Sequence, residues 1–485
     1  MIYLHVPFCR TFCTYCSFYS ERFRLQDAEP YVEALLQEIG RREEEIRNTL
    51  ALNTLYIGGG TPSVLPPSAL ERIAQALSRL TGGQYEEFTM EVNPDDVTAE
   101  YAAFLKELGV TRVSMGVQSF DDAALKRMAR RHTAEGAVRS YVALREAGFD
   151  NISLDLIFGR GTMVADRAAG AIAEAAESEA LEGEALEGEA PEGEALEGEA
   201  LEGEALARSQ AAWTRDLDVL LSLPGGPPEH VSAYQLSIEE GSALYQMVEK
   251  GRYRELSDEA CERQYLMLCE RLAEAGYEHY EISNFARPGY RAIHNSAYWS
   301  GAPYVGLGPA AHSYDGSKRR WNPDSLEKWA QTVYSSTASV KKTGKSRPIE
   351  CCSTALVKKT AEICPNECRT DVGVLCDCET LTAEQKRTER IMLSMRTCDG
   401  IPESELRTLC GDEKVEEMLR GGLLERIAAQ SHPAAAISQQ PANPQQPAIS
   451  QQPATPQQPA TPRPFSIRIP ERKWFVGDAI VSDLL

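Results

Sequence analysis

Three cysteines stand close together near the amino end, where Cys9, Cys13 and Cys16 follow the short apolar run Ile2–Val6. CxxxCxxC spacing on a loop after such a run suits an iron–sulfur cluster. A cubane [4Fe–4S] cluster is usually closed by four thiolates. Three thiolates leave one iron with a coordination position for a small molecule. Zinc sites more often pair two CxxC units, and no matching pair is placed to complete one here. Disulfides fit poorly, because three is an odd number and no secretory signal is visible.

The residues that follow supply a scaffold. Apolar or β-rich runs at Ile2–Val6, 54–57, 88–92, 112–117 and Ile152–Phe158 alternate with helical patterns at 29–48, 67–80, 98–108, 121–131 and 134–147. That alternation means βα units and a parallel sheet. With a further run at 230–238, six strands predict an α/β fold, a partial (β/α)6 TIM-like barrel with its chemistry at the C-terminal strand ends. Polar residues recur at those ends. Gly58, Gly59, Gly60 and Thr61 follow the second strand, and glycine allows close backbone approach. Glu91 ends the third strand and is able to accept hydrogen bonds from ribose hydroxyls. Gln118 ends the fourth, Arg130 follows it, and Asp155 lies in the fifth. Any one of them suits a cap or a core polar group; their shared position favours a ligand site.

The chain of 485 residues is long for one domain and carries a formal charge of −22. Thirteen glutamates fall between Ala171 and Ala207, and without them about −9 remains, ordinary for a soluble protein. No basic stripe with interleaved aromatics points to nucleic acid. No run approaches the roughly 18 apolar residues of a membrane span. Thirteen cysteines without an export signal fit a reducing cytoplasm. Three segments break the pattern: an acidic Glu-Ala-Leu-Glu-Gly repeat (about 164–210), a cysteine-containing stretch (about 335–378) that fits no ligand template, and a Gln/Pro-rich tract (about 431–464) expected to be extended and disordered.

Taken in order, YxHxPFCxxxCxYC, GGGTPS, EVNPDD, GVQSF, RRH and DLIFG resemble the oxygen-independent coproporphyrinogen III oxidase family of radical S-adenosylmethionine (radical SAM) proteins. The stretches from His230 to Glu239, Tyr280 to Phe285 and Gly306 to Ser313 fit the same pattern. The resemblance implies that Cys9, Cys13 and Cys16 hold a [4Fe–4S] cluster. It implies that Tyr3, Gly59, Gly60, Thr61, Glu91, Gln118, Arg130 and Asp155 line an S-adenosylmethionine pocket, the glycines meeting the methionine amino group. Reductive cleavage of the sulfonium would then release a 5′-deoxyadenosyl radical, with an electron donor such as flavodoxin or ferredoxin.

Two activities compete within that family. The decarboxylating oxidase carries a fourth cysteine two residues after the third, where this chain has Phe18. The heme-chaperone branch resembles it more, through its HNxxYW motif at His294, Asn295, Tyr298 and Trp299. That resemblance implies heme or a porphyrin as cargo, with His294, Tyr298 and Trp299 touching it, and delivery to heme-accepting respiratory proteins, membrane-associated ones included. A non-enzymatic cluster or heme carrier is the third class. Ser17 and Arg160-Gly161-Thr162 depart from the family pattern. The expected division is a core over 1–315 and a mainly helical accessory domain over 316–485. Its carboxyl end is expected to hold a β-hairpin (465–469 with 472–475) and to act as a lid over the barrel mouth.

Overall fold

The computed structural model describes residues 1–164, 193–335, 367–369, 375–428 and 465–485. Most of the acidic repeat, most of the cysteine-containing stretch and the Gln/Pro tract lie outside the described residues.

Nine strands form one sheet: β1 (Ile2–Val6), β2 (Thr54–Gly59), β3 (Glu87–Val92), β4 (Arg112–Gln118), β5 (Ile152–Phe158), β6 (His230–Gln235), β7 (Glu278–Glu281), β8 (Asn284–Ala286) and β9 (Val305–Leu307). Their spatial order is β7-β8-β6-β5-β4-β3-β2-β1-β9. From β9 to β6 neighbours run parallel, and β8 and β7 add an antiparallel edge. The sheet stays open, because its two edge strands do not pair with each other. The six expected strands are all present. The three-residue strands β8 and β9 were too short to show a period.

Side chains alternate faces along a strand, and here the alternation separates two chemistries. The outer face carries Leu4, Ile57, Met90, Met115, Leu154 and Val231, all fully buried. Helices cover it: α1 (Leu25–Arg41), α2 (Pro67–Thr81), α3 (Ala99–Glu107) and α4 (Ala134–Glu146). Helix α2 turns Leu70, Ile73 and Leu77 inward at helical spacing, begins with Pro67, and stops where Gly82 takes φ 82°. Thr98 and Thr133 cap α3 and α4 by accepting the Tyr101 and Gly136 amides.

Helix α5 (Gly193–Leu221) emerges from the last acidic repeats, and its second half buries Trp213, Leu217 and Leu220. This is the crossover between β5 and β6. The repeat's five-residue period conceals it, since only residues beyond Ala207 carry core-facing spacing. Helix α6 (Asp258–Glu274) and the short helix α7 (Ile293–Trp299) follow, with α7 packed at the start of β2.

The C-terminal unit differs from expectation in two respects. Phe465–Arg468 is the central strand of a three-stranded sheet, between Ile401–Pro402 and Glu425–Ala428. Residues Glu471–Val476 form a 3-10 turn, not the return strand of a hairpin, because Pro470 sits at the turn's start. The described contacts of this unit lie along the sheet edge and reach the chain just after the cysteine loop, where the Leu326 amide donates to Tyr19 Oη at 2.6 Å. Helix α8 (Ala383–Met395) reaches Arg319, beside the β9 edge, through Glu389 at 3.0 Å. Just beyond α8, Arg396 and Cys398 hydrogen-bond Ile282 and Tyr280 at the β7 edge. The unit therefore spans the seam of the open barrel.

Candidate functional site

The inner face of the sheet is polar from end to end. Tyr3 and His5 on β1, Thr54 and Tyr56 on β2, Glu87, Thr89 and Glu91 on β3, Arg112 and Ser114 on β4, Ser153 and Asp155 on β5, and His230 and Ser232 on β6 share it. Burial grades along that face. At the strand starts Thr54, Glu87, Arg112, Ser153 and His230 are buried; toward the ends Glu91, Gln118 and Asp155 are half-buried and Tyr234 is 46 % exposed. The cup is sealed at its base and opens at the C-terminal rim.

The cysteine loop lies across that rim. Cys9 ends the short strand Phe8–Cys9, which pairs with Glu21–Arg22 and so closes the loop. Thr14 anchors its middle: its amide donates to Met128, its hydroxyl to the Arg127 carbonyl, and its own carbonyl accepts from the Leu244 amide at 2.7 Å. Cys9, Cys13 and Cys16 are free and half-buried. Cys9 Sγ lies 3.4 Å from Thr61 Oγ1, and Arg130 donates to Cys13 Sγ at 3.4 Å and to the Gly116 carbonyl. Burial pushes the Cys9 and Cys16 thiols up, with Arg130 acting against it. Bound metal would reverse that balance by holding the sulfurs as thiolates.

Two carboxylates stand below the loop. Glu91 accepts from Tyr56 Oη at 2.6 Å and from the Gly59 amide at 3.1 Å. Asp155 accepts from Ser114 Oγ at 3.2 Å. Burial, with Asp155 nearby, raises Glu91 to about 7, and burial raises Asp155 to about 6. Gln118 takes φ 68°, a left-handed conformation costly for a residue with a Cβ, directly at the rim. Among the described residues, Thr89 Oγ1, Asn93 Oδ1 and Arg130 Nε are buried without a hydrogen-bond partner. Three free thiols, a guanidinium beside them and orphaned polar atoms under them fit a cluster with a polar ligand on it.

The glycine run is packed more tightly than its sequence implies. A Cβ on Gly59, at φ 111°, would meet the His5 ring at 2.6 Å; one on Gly60 would meet the Phe8 carbonyl oxygen at 2.8 Å. The Gly59 and Gly60 amides already donate, to Glu91 and to Val6.

The rim thus gathers Cys9, Cys13, Cys16, Gly59, Gly60, Thr61, Glu91, Gln118, Arg130 and Asp155. Tyr3 lies one layer below, its hydroxyl 3.0 Å from His5 Nδ1. His294, Tyr298 and Trp299 are elsewhere: on α7, at the sealed base, where the His294 ring lies 5.2 Å from the ring of Tyr56, whose hydroxyl donates to Glu91. His294 is 1 % exposed, and both ring nitrogens are occupied, Nδ1 by Thr54 Oγ1 at 2.8 Å and Nε2 by Tyr298 Oη at 3.0 Å. Burial and the amino-terminal charge push it down to about 3. Glu87 accepts both the Ile293 and His294 amides at 2.9 Å, fixing the helix start. In this arrangement His294 offers no nitrogen to an iron. A motif of His, Tyr and Trp at helical spacing looks the same whether it plugs a base or holds a ligand.

Comparison with known proteins decides the family. Residues 3–167 match the radical SAM superfamily. The heme chaperone HemW of Bacillus subtilis is 33 % identical over 328 residues, which cover 66 % of this chain and 72 % of that protein. The chain belongs to the HemW heme-chaperone family. The HemW of Lactococcus lactis is 34 % identical over 313 residues, covering 64 % and 69 % respectively. Among solved structures, the coproporphyrinogen III oxidase HemN of Escherichia coli, a radical SAM enzyme, superposes with a TM-score of 0.63 at 16 % identity, over all of this chain and 89 % of HemN. That match shows a shared fold. Membership in the radical SAM superfamily implies a [4Fe–4S] cluster and S-adenosylmethionine. No helix among the described residues is long and apolar enough to cross a membrane.

Two features escaped the sequence. Asp216, on α5, accepts from Ser119 Oγ (2.9 Å), the Phe120 amide (2.7 Å) and Arg160 (2.6 Å), tying three rim segments together. An acidic residue after an acidic repeat carries no signal of that role. Second, a cavity flanks the cysteine loop, lined by Tyr15, Met128, Met163, Leu244, Met247 and Tyr253 with Arg127 at its border.

Proposed function

We propose that this protein is a radical SAM heme chaperone that binds heme and passes it to acceptor proteins. The observation carrying the proposal is the three-cysteine rim with Phe18, 73 % exposed, where the oxidase has its fourth cysteine. Cys9, Cys13 and Cys16 would hold the cluster, and Thr61 and Arg130 would set the charge around it. Glu91, Asp155, Gln118, Gly59 and Gly60 would orient S-adenosylmethionine, with Tyr3 supporting His5 beneath them. When bound, the cluster and S-adenosylmethionine supply one-electron reductive chemistry. The chain's own part is to position the ligand and exclude water.

For the cargo, His294 is a poor iron ligand in this arrangement. Ligation by His294 would break two buried hydrogen bonds, leaving Thr54 and Tyr298 unsatisfied. The heme-accepting respiratory proteins and the electron donor remain part of the same proposal, carried by family membership alone.

Anaerobically reconstituted protein tests it by heme titration alongside a coproporphyrinogen III product assay. The proposal expects stoichiometric heme binding without decarboxylation. Decarboxylated product would identify an oxidase. Loss of heme in His294→Ala, with an unchanged melting profile, would move the cargo site to the base.

A further inference from the structure

Where the C-terminal unit meets the barrel, three metal-ligating side chains converge that the rim chemistry does not use. Cys269 comes from α6, His279 from β7 and Glu471 from the 3-10 turn. One ligand atom of each lies within 4.8 Å of the other two. His279 Nδ1 is 2.9 Å from Glu471 Oε1 and 3.7 Å from Cys269 Sγ. Both partners therefore face the same ring nitrogen. A nucleophilic relay takes the thiol on one imidazole nitrogen and the carboxylate on the other, so this is not one. The thiol is also a poor nucleophile, because burial and the Glu471 charge push it up to about 12.

The second nitrogen supports a metal reading. His279 Nε2 faces the Ile282 carbonyl at 3.4 Å, with the Tyr265 hydroxyl equally close. An Nε2–H turned toward a carbonyl is the outer hydrogen bond typical of metal-ligating histidines. In that tautomer Nδ1 turns a lone pair toward the carboxylate, whereas in the other Nδ1–H donates to Glu471 and Nε2 accepts from Tyr265 Oη, which is the metal-free state of the same cluster. Two acceptors 2.9 Å apart need a cation, either a proton or a metal ion. The ring is also held in plane, stacked on Phe285 at 4.0 Å and met edge-on by Trp474 at 4.4 Å.

We propose that Cys269, His279 and Glu471 form a zinc-type site that clasps the C-terminal unit to the barrel edge. With ligand bonds of about 2.0–2.3 Å, a tetrahedral zinc sets nitrogen and sulfur about 3.6 Å apart, matching the spacing here. A small carboxylate rotation widens the nitrogen–oxygen gap to the ~3.3 Å the same geometry asks for. Thiolate, imidazole and carboxylate together select a borderline divalent ion over magnesium or calcium. Water fills the fourth position. The thiol proton leaves to solvent as the ion enters. Glu471, 43 % exposed, gives the ion its entry path. His279 and Glu471 are 192 residues apart in sequence, so the ion staples segments remote along the chain.

The test uses full-length, cluster-reconstituted protein exposed to excess zinc and then desalted, with zinc counted per chain. The proposal expects about one zinc, retained in Cys13→Ala and reduced about tenfold or more in Cys269→Ser and Glu471→Gln. Those two variants leave the stacked rings intact, whereas His279→Ala removes one of them. Cobalt(II) serves as a second probe, giving a thiolate-to-cobalt charge-transfer band that Cys269→Ser abolishes. Zinc absent from the wild type would overturn the site. So would zinc held equally by all variants, or zinc lost in Cys13→Ala alone.

Discussion

The two ends of the strand cup are built from similar residue types and end in opposite states. At the base, Thr54, Glu87, His294 and Tyr298 form a buried network with both His294 ring nitrogens engaged, and among the described residues Trp299 Nε1 is the atom there left without a partner. At the rim, Glu91 and Asp155 are held well above the usual carboxylate range, Gln118 is in a left-handed conformation, and Arg130 Nε lacks a partner. A satisfied polar network stabilises without inviting a ligand; strain and unmet hydrogen bonds are where a ligand repays their cost. Both ends hold an orphaned atom, so it is the backbone strain at Gln118 and the two raised carboxylates that set the rim apart.

The sharpest break in that comparison comes from the cysteines. Cys13→Ala should take iron from about four per chain to near zero, measured by iron analysis after reconstitution, while the unloaded protein melts near its wild-type temperature. Next in size is His294→Ala. It leaves Thr54 and Tyr298 unpaired in a buried base and should cost about 2–4 kcal/mol in denaturant unfolding, with iron content unchanged. If that variant lost iron while remaining folded, the two ends would not be independent.

Glu91 offers a test through pH. Its pKa is about 7 in the fold against an ordinary value of 4.5, so the folded state holds the proton more tightly. The associated stability is fully present below about pH 4.5 and is lost as pH rises through 7. Glu91 alone should account for a loss on the order of 2 kcal/mol between pH 5 and 8, read as the difference between wild type and Glu91→Gln and allowing for screening at the half-open rim. Glu91→Gln should flatten that slope in a series of melts. A slope unchanged in the variant would assign it to Glu281, which burial also raises to about 7, and to Asp155. The smallest effect is expected from Thr61→Val, which removes the hydroxyl beside Cys9. Cluster content should stay, and the reduction potential should shift slightly for want of one hydrogen bond to sulfur.

Much of this was legible in the chain. The strands of the parallel sheet show because each alternates an apolar outer residue with a polar inner one, as in Ile2-Tyr3-Leu4-His5-Val6. The cysteine spacing is local, so no tertiary knowledge was needed to place the three-cysteine loop at a strand end. What was not legible depends on remote partners. Nothing near Asp216 shows that it holds Ser119, Phe120 and Arg160. Nothing near His294 shows that Thr54 waits 240 residues earlier. Cys269, His279 and Glu471 come together only once the C-terminal turn has docked. The hairpin expected over 465–475 failed for a local reason, since Pro470 starts a 3-10 turn where a return strand was expected.

Spectroscopy of oxygen-free, reconstituted protein bears most directly on the rim. The account predicts a cubane signal that depends on Cys9, Cys13 and Cys16 and shifts when S-adenosylmethionine is added, because the chain leaves one iron without a protein ligand. A cubane unmoved by S-adenosylmethionine, or one that survives replacement of all three cysteines, would contradict it.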